Sequence, residues 1–202
     1  MQITTLRDLT ALYKATNPIS LSKETAALTP AYRRWIERAP FFAIATSGPG
    51  GLDCSPRGDA VGQAFRMLDE ATIAIPDRRG NNRLDTLKNI IHDPKVALLF
   101  LTPGIHETVR INGTATITTD PELVNSFAVD GKLPATVIVV GIEAVYFQCA
   151  RALKRARLWE RDMQIDRDQV PSAGEMTKSA LPDFDAEDYD ADLQGRQAKS
   201  LY

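Results

Sequence analysis

Three arginines crowd one short stretch, Pro76-Asp77-Arg78-Arg79-Gly80-Asn81-Asn82-Arg83-Leu84-Asp85-Thr86, where a strand pattern gives way to a helical one. Such a junction offers free backbone N–H groups at the positive end of a helix dipole, a favourable place for phosphate. Guanidinium groups add bidentate, charge-assisted hydrogen bonds that an ammonium matches less well. The same residues also suit a solvated loop, with Asn82 capping the helix, Asp85 complementing its dipole and the arginines facing water. Composition leaves these two readings balanced. A second arginine lies in Ser55-Pro56-Arg57-Gly58-Asp59. The proline there points to a strand edge or bulge, as beside a ligand, although Arg57 could equally pair with Asp53 or Asp59. A third lies in Glu107-Thr108-Val109-Arg110-Ile111-Asn112-Gly113, where Arg110 falls opposite the apolar face.

Other chemistries lack their residues. The chain has no phosphate-loop motif, no dinucleotide fingerprint and no nucleophile elbow. His92 and His106 are its only histidines, and neither has metal-ligand spacing, so no metal site is expected and a hydrolytic triad is hard to assemble. His92 is placed to interact with a helix C-terminus, and His106 reads as a loop residue. Cys54 and Cys149 are far apart and read as reduced thiols. An enzyme so poor in its own catalytic groups would rely on a cofactor, whereas a binding module would need none.

The elements that must position these residues follow from periodicity. Residues 1–38 read as a helical segment, with Leu6, Leu9, Leu12 and Tyr13 at helical spacing, and with Thr29 and Pro30 opening a further helix. Residues 39–150 read as strands: Phe41 to Thr46, Leu52 to Ala60, Thr72 to Ile75, Lys95 to Thr102, Glu107 to Thr119 and Thr136 to Gln148. The helices between them are short, one from near Asn82 with Leu84, Leu87, Ile90 and Ile91 on one face, another after Asp120-Pro121. Six strands without long crossovers favour an antiparallel barrel over a parallel α/β sheet. Residues 151–202 begin with a basic helix, Ala150 to Trp159. They end in the acidic run Asp183 to Asp192, read as a solvated surface or arm of the same domain.

The 202 residues are 44% hydrophobic and 25% charged, ordinary for a globular protein. A net charge of −2 gives no basic field for nucleic acid or an anionic membrane. Nor does any apolar run reach the length of a membrane span, and the first residues lack a signal-peptide pattern, so a cytoplasmic protein is the expectation.

Arg57 after a strand–turn–strand, the basic loop Pro76 to Thr86, the run Asp93 to Phe100 and the strand Val109-Arg110-Ile111-Asn112-Gly113-Thr114-Ala115 together resemble the pyridoxamine 5′-phosphate oxidase-like family of FMN-binding split barrels. The phrases Ser55 to Asp59, Pro76 to Leu87, Glu107 to Ala115 and Ala152 to Trp159 resemble more narrowly a bacterial subgroup of flavoproteins with a helical N-terminal segment. The resemblance implies a mainly β fold with peripheral helices, a six-stranded antiparallel split β-barrel. It implies a homodimer holding FMN between subunits, with two-electron chemistry on a small molecule. By the family's pattern, Arg57 and Arg83 would hold the phosphate, with Asp77, Arg78, Asn82 and Thr86 nearby. Ile75 and Pro76 would lie against the flavin ring, Thr108 near it, and Arg155 or Trp159 would reach in from the partner subunit. Arginines stand where the family commonly has Ser-x-Lys. The segment Arg157-Leu158-Trp159-Glu160-Arg161 resembles the family's substrate-binding Arg-Leu-His-Asp-Arg only superficially. With Trp159 in place of histidine, oxidation of pyridoxamine phosphate itself is not implied. A split barrel binding a deazaflavin or haem, or a flavin-binding sensor without turnover, are the alternatives.

Overall fold

A computed structural model describes residues 2–202. Seven strands form one sheet: β1 (Phe41–Gly48), β2 (Gly51–Gly58), β3 (Arg66–Met67), β4 (Thr72–Asp77), β5 (Lys95–Leu101), β6 (Thr108–Thr118) and β7 (Thr136–Gln148). Their order across the sheet is β2-β1-β5-β6-β7-β4-β3. Every neighbouring pair is antiparallel. The expectation of an antiparallel β fold holds, but the count of six does not. Two residues, Arg66 and Met67, pair with Ala74 and Ile73 as a seventh strand too short to leave an alternating pattern.

The sheet is curled. Phe65, beside edge strand β3, packs with ring centroids 6.0 Å from Phe42 in β1 and 5.1 Å from Phe100 in β5. Those strands lie towards the opposite edge, so one core seals the two ends together. Period-two alternation decides what enters it. Phe42 and Ile44 of β1, Leu98 and Phe100 of β5, and Val109 and Ile111 of β6 are all buried. Their neighbours Ala43, Ala45, Ala97, Leu99 and Arg110 face outwards, each only partly covered.

One glycine is set by backbone approach. The β6–β7 register passes from Asn112↔Ala144 to Gly113↔Ile142, leaving Glu143 as a bulge. A Cβ built on Gly113 would stand 2.0 Å from the Gly141 carbonyl oxygen, so the two strands meet there only without a side chain.

The helices are α1 (Leu6–Ala11), α2 (Pro18–Ser22), α3 (Pro30–Ile36), α4 (Asp85–His92), α5 (Pro121–Ser126), α6 (Arg151–Ala156), α7 (Ala173–Ala180), α8 (Ala186–Ala191) and α9 (Leu193–Lys199). Thr29 caps α3 by accepting the Tyr32 N–H at 3.2 Å, and Asp120 caps α5 through Leu123 at 2.9 Å, as their sequences predict. The N-terminal segment is helical, as expected, and Leu6, Leu9, Leu12 and Tyr13 are exposed. One expectation needs correction. The basic helix ends at Ala156 because Arg157 turns left-handed, with φ 51°. The acidic run lies at the surface, as expected, and is folded: Asp185 caps α8, and Asp190 accepts the Gly174 N–H at 2.9 Å. None of the described helices is long and apolar enough to cross a membrane.

Helix α4 connects core to site. Asn89 on its buried side donates to Thr46 Oγ1 of β1 at 3.1 Å. A Cβ on Gly48 would strike Asn89 Oδ1 at 2.3 Å, so that glycine lets the helix lie close over the β1–β2 hairpin. The start of α4 is thereby held beside the side chains of Asp53, Ser55 and Arg57.

Candidate functional site, a basic and acidic cleft

Along β2 the side chains alternate. Asp53, Ser55 and Arg57 are half-buried, while Leu52, Cys54 and Pro56 project into solvent. The half-buried set borders a cleft of about 1050 Å³ that extends past the ends of β4 and β7. Pro76, Asp77 and Arg78 line it from β4 and its following loop, as do Asn82 and Arg83 from that loop and Thr86 from the first turn of α4. Lys132 and Thr136 from the entry to β7, and Tyr202, complete the wall.

The structure thus brings Arg57, Pro76, Asp77, Arg78, Asn82, Arg83 and Thr86 together as the sequence predicts. Ile75 is fully buried and turns its side chain into the core. Thr108, Arg155 and Trp159 are elsewhere. Thr108 pairs with Gln148 at the far end of β7, whereas Thr136 beside the cleft begins that strand. Thirteen residues of extended chain separate the two by roughly 40 Å. Trp159 donates its indole N–H to the Ile105 carbonyl at 2.8 Å, which keeps it at the β5–β6 end.

At the mouth of the cleft the predicted cap is absent. Asn82 and Leu84 adopt left-handed backbone, with φ 58° and 60°, and α4 begins only at Asp85. Leu84 precedes it without a side-chain cap, so Asn82 is a turn residue. The predicted apolar face is corrected too: Ile90 and Leu87 pack inwards, but Leu84 and Ile91 are exposed.

The deeper wall is a hydrogen-bonded network. Thr86 donates to Asp53 at 2.6 Å, Ser55 donates to the same carboxylate at 2.9 Å, and Arg57 Nη2 donates to Thr86 Oγ1 at 3.3 Å. Arg57 pairs with neither Asp53 nor Asp59; its closest carboxylate is Asp77, at 3.9 Å. Asp59 belongs instead to Arg78, whose Nε reaches it at 3.1 Å while Nη1 donates to the Phe127 carbonyl at 2.7 Å. Arg83 reaches Asp85 at 2.8 Å and is largely exposed, so this pair contributes little to stability.

Two buried polar atoms on the cleft wall have no hydrogen-bond partner, Arg78 Nη2 and Thr136 Oγ1. Buried donors left unpaired are uncommon, and a ligand atom is one way to satisfy them. Asp77 is also unusual: burial pushes its carboxyl above the usual 3.8, and Arg57 opposes the shift. At 3.9 Å the pairing is too long to win. Thr136, Lys132 and Tyr202 are absent from the sequence-based set because no local pattern joins them to the arginine loop. Among the described residues no three of His, Cys, Asp or Glu gather as a metal-binding group.

A curled, incompletely closed antiparallel sheet with a polar cleft at its β4–α4 junction is a split barrel. The family model described as pyridoxamine 5′-phosphate oxidase matches residues 28–149, and the chain belongs to that family. The fold is similar to that of HupZ from Group A Streptococcus, at 19% identity and TM-score 0.48, over 58% of this chain and 91% of that one. It is also similar to general stress protein 26 from Bacillus anthracis, at 15% identity and TM-score 0.45, over 57% and 88% of the two chains. A protein from Mycobacterium smegmatis described as FAD-binding is 13% identical, with TM-score 0.43, over 61% and 97%. No curated protein matches the chain.

Proposed function

We propose that this protein is an FMN-dependent oxidoreductase that transfers a hydride or two electrons to or from a small molecule, acting as a homodimer in the cytoplasm. The observation that carries the reading is the network of Arg57, Thr86 and Ser55 at the start of α4. It gathers a guanidinium and two hydroxyls, whose protons go to Asp53, beside a helix start in the cleft. FMN fits these residues: its phosphate suits Arg57, Arg83 and Asn82, with Thr86 holding Arg57 in place, and the orphaned Thr136 hydroxyl offers a hydrogen bond to a polar ring edge. When bound, the flavin supplies the redox chemistry through its ring system.

The chain's own residues bind and orient. The backbone at Ile75 and Pro76 provides a rigid wall because β4 is held by β7 along its length. Asp77 and Arg78 continue that wall. Arg155 or Trp159, remote from the cleft within one chain, would come from the partner subunit, whereas Thr108 is buried within its own chain. The outer sheet face supports this association. It carries Ala43, Ala45, Ala97 and Leu99 in adjacent strands, apolar side chains, three of them small, on which a second sheet can pack. Light scattering is expected to give twice the chain mass at micromolar concentration, and a flavin-loaded monomer would remove the partner residues from the site. Equilibrium titration with FMN, followed by quenching of flavin fluorescence, tests cofactor binding.

Asp77 gives the site a pH dependence. Its ionised form competes with phosphate for Arg57, so protonation leaves Arg57 freer. FMN affinity is therefore expected to fall as pH rises from 3.8 through the raised Asp77 value. This window is read below the flavin phosphate's own second ionisation, near about 6. The stability linkage has the same sign. The contribution of protonated Asp77 is fully present below 3.8 and is lost as pH rises through the raised folded value. Asp77→Asn is expected to flatten both profiles; an unchanged slope of FMN affinity in that variant would remove Asp77 from the cause.

A further inference from the structure

Arg78 is held on three sides. Asp59 accepts from its Nε at 3.1 Å, the Phe127 carbonyl accepts from Nη1 at 2.7 Å, and the guanidinium carbon lies 5.2 Å from the centroid of the Tyr202 ring. Its remaining nitrogen, Nη2, is buried and has no acceptor. A guanidinium fixed by two acceptors, with a third donor idle, is already oriented for another oxygen.

Tyr202 holds its place through the same carboxylate. Its hydroxyl donates to Asp59 Oδ1 at 2.6 Å, across 143 positions of sequence. The ring therefore lies against the guanidinium at the cleft wall, with Asp59 shared between ring and cation. Between Trp159 and Tyr202 the chain forms its own helical array, with α7 packed on α8 and α8 on α9. Tyr202 is the point at which that array returns to the barrel with a hydrogen bond to a cleft residue.

We infer that Arg78 is an oxyanion-binding group of the ligand cleft that Tyr202 masks, so that a carboxylate or phosphate oxygen of the redox substrate takes up Nη2 when the ring moves aside. Resting on the cleft being the ligand site proposed above, this assigns the substrate an anionic group and gives the C-terminal segment a gating role. Swinging the ring away breaks one hydrogen bond at Asp59 and the ring's contact with the guanidinium, and leaves the Asp59–Arg78 pair intact. The exchange gives up the charge-assisted Tyr202–Asp59 bond and the ring's contact with the guanidinium, and gains a charge-assisted bond that fills an idle donor, so the ring's hold sets the cost of anion entry.

The test titrates inorganic phosphate and, separately, acetate into the wild-type chain, Tyr202→Ala, Tyr202→Phe, and Tyr202→Ala combined with Arg78→Lys. Binding is followed by calorimetry. Removing the ring is expected to tighten the better of the two anions about tenfold, with Tyr202→Phe intermediate and Arg78→Lys reversing the gain. Tighter phosphate points to a phosphorylated substrate, and tighter acetate to a carboxylate. Equal affinities in wild type and Tyr202→Ala, or a gain that survives Arg78→Lys, overturn the inference. If the Arg78→Lys chain melts below the assay temperature, spectra of isotope-labelled arginine in Tyr202→Ala decide. Phosphate or acetate must then shift the slowly rotating guanidinium that Asp59 and Phe127 hold, and an unmoved signal overturns the assignment. A parallel FMN titration separates the two ideas: anion binding gained at Arg78 without FMN binding keeps the subsite and rejects the flavin.

Discussion

Arg57→Ala is expected to weaken FMN binding by about tenfold to a hundredfold, the loss associated with one charge-assisted hydrogen bond in a partly covered site. Arg57 is the larger lever than Arg83. It is half-buried at the inner end of the cleft and already oriented by Thr86, whereas Arg83 is exposed and pairs with Asp85. A guanidinium held in place gives up less side-chain freedom on binding phosphate than one that must be drawn from water. Flavin fluorescence titration reads the effect. The substitution also leaves Asp77 without its nearest cation, so the Asp77 carboxyl is expected to titrate still higher. Adding Asp77→Asn to the Arg57→Ala chain removes that secondary effect without restoring affinity. Unchanged FMN affinity in both variants would take Arg57 out of the site.

Gly113→Ala is expected to destabilise the fold by about 3 kcal/mol or more, because a β-carbon there collides with backbone that cannot rotate away. The obstacle is the Gly141 carbonyl oxygen, 2.0 Å from where that carbon would stand, in a strand pinned between β6 and β4. Relief would require opening the β6–β7 ladder next to the Glu143 bulge. Thermal or denaturant unfolding measures the loss. A variant as stable as the parent would show that the two strands are farther apart than described. Gly50, with open space around it, is the natural control for substitution at a glycine.

Much of the fold was legible because β1 and β5 are compact apolar runs, β6 alternates with period two, and the turns between them are marked by glycine and proline. Val109 and Ile111 are buried as the β6 pattern implies, whereas which residues of the two apolar runs enter the core, Phe42, Ile44, Leu98 and Phe100, is settled by the fold. The seventh strand was not legible, since two residues carry no period. The start of α4 was misplaced for a different reason. Asn82 is a good capping residue by type, but left-handed turns at Asn82 and Leu84 delay the helix to Asp85. In α1, helical spacing of leucines does not reveal whether anything packs against them, and the described chain leaves them in solvent.

The site divides similarly. Its arginine loop was visible as a local cluster, and seven of the predicted residues do share one cleft, Arg57, Pro76, Asp77, Arg78, Asn82, Arg83 and Thr86. Pairing within it was not visible, because Asp59 goes to Arg78 and Asp77 to Arg57 only once β2 and β4 lie on either side of the curled sheet. Thr136 and Tyr202 join through contacts spanning the whole chain, which no sequence window contains.

Flavin binding is the central claim, and a visible absorption spectrum of the purified protein, with mass analysis of what acid releases, tests it most directly. The two bands of an oxidised flavin and a released mass equal to FMN are the predicted result. A colourless protein that leaves the fluorescence of added FMN unchanged would contradict it, leaving the split barrel in place with a different ligand in its cleft.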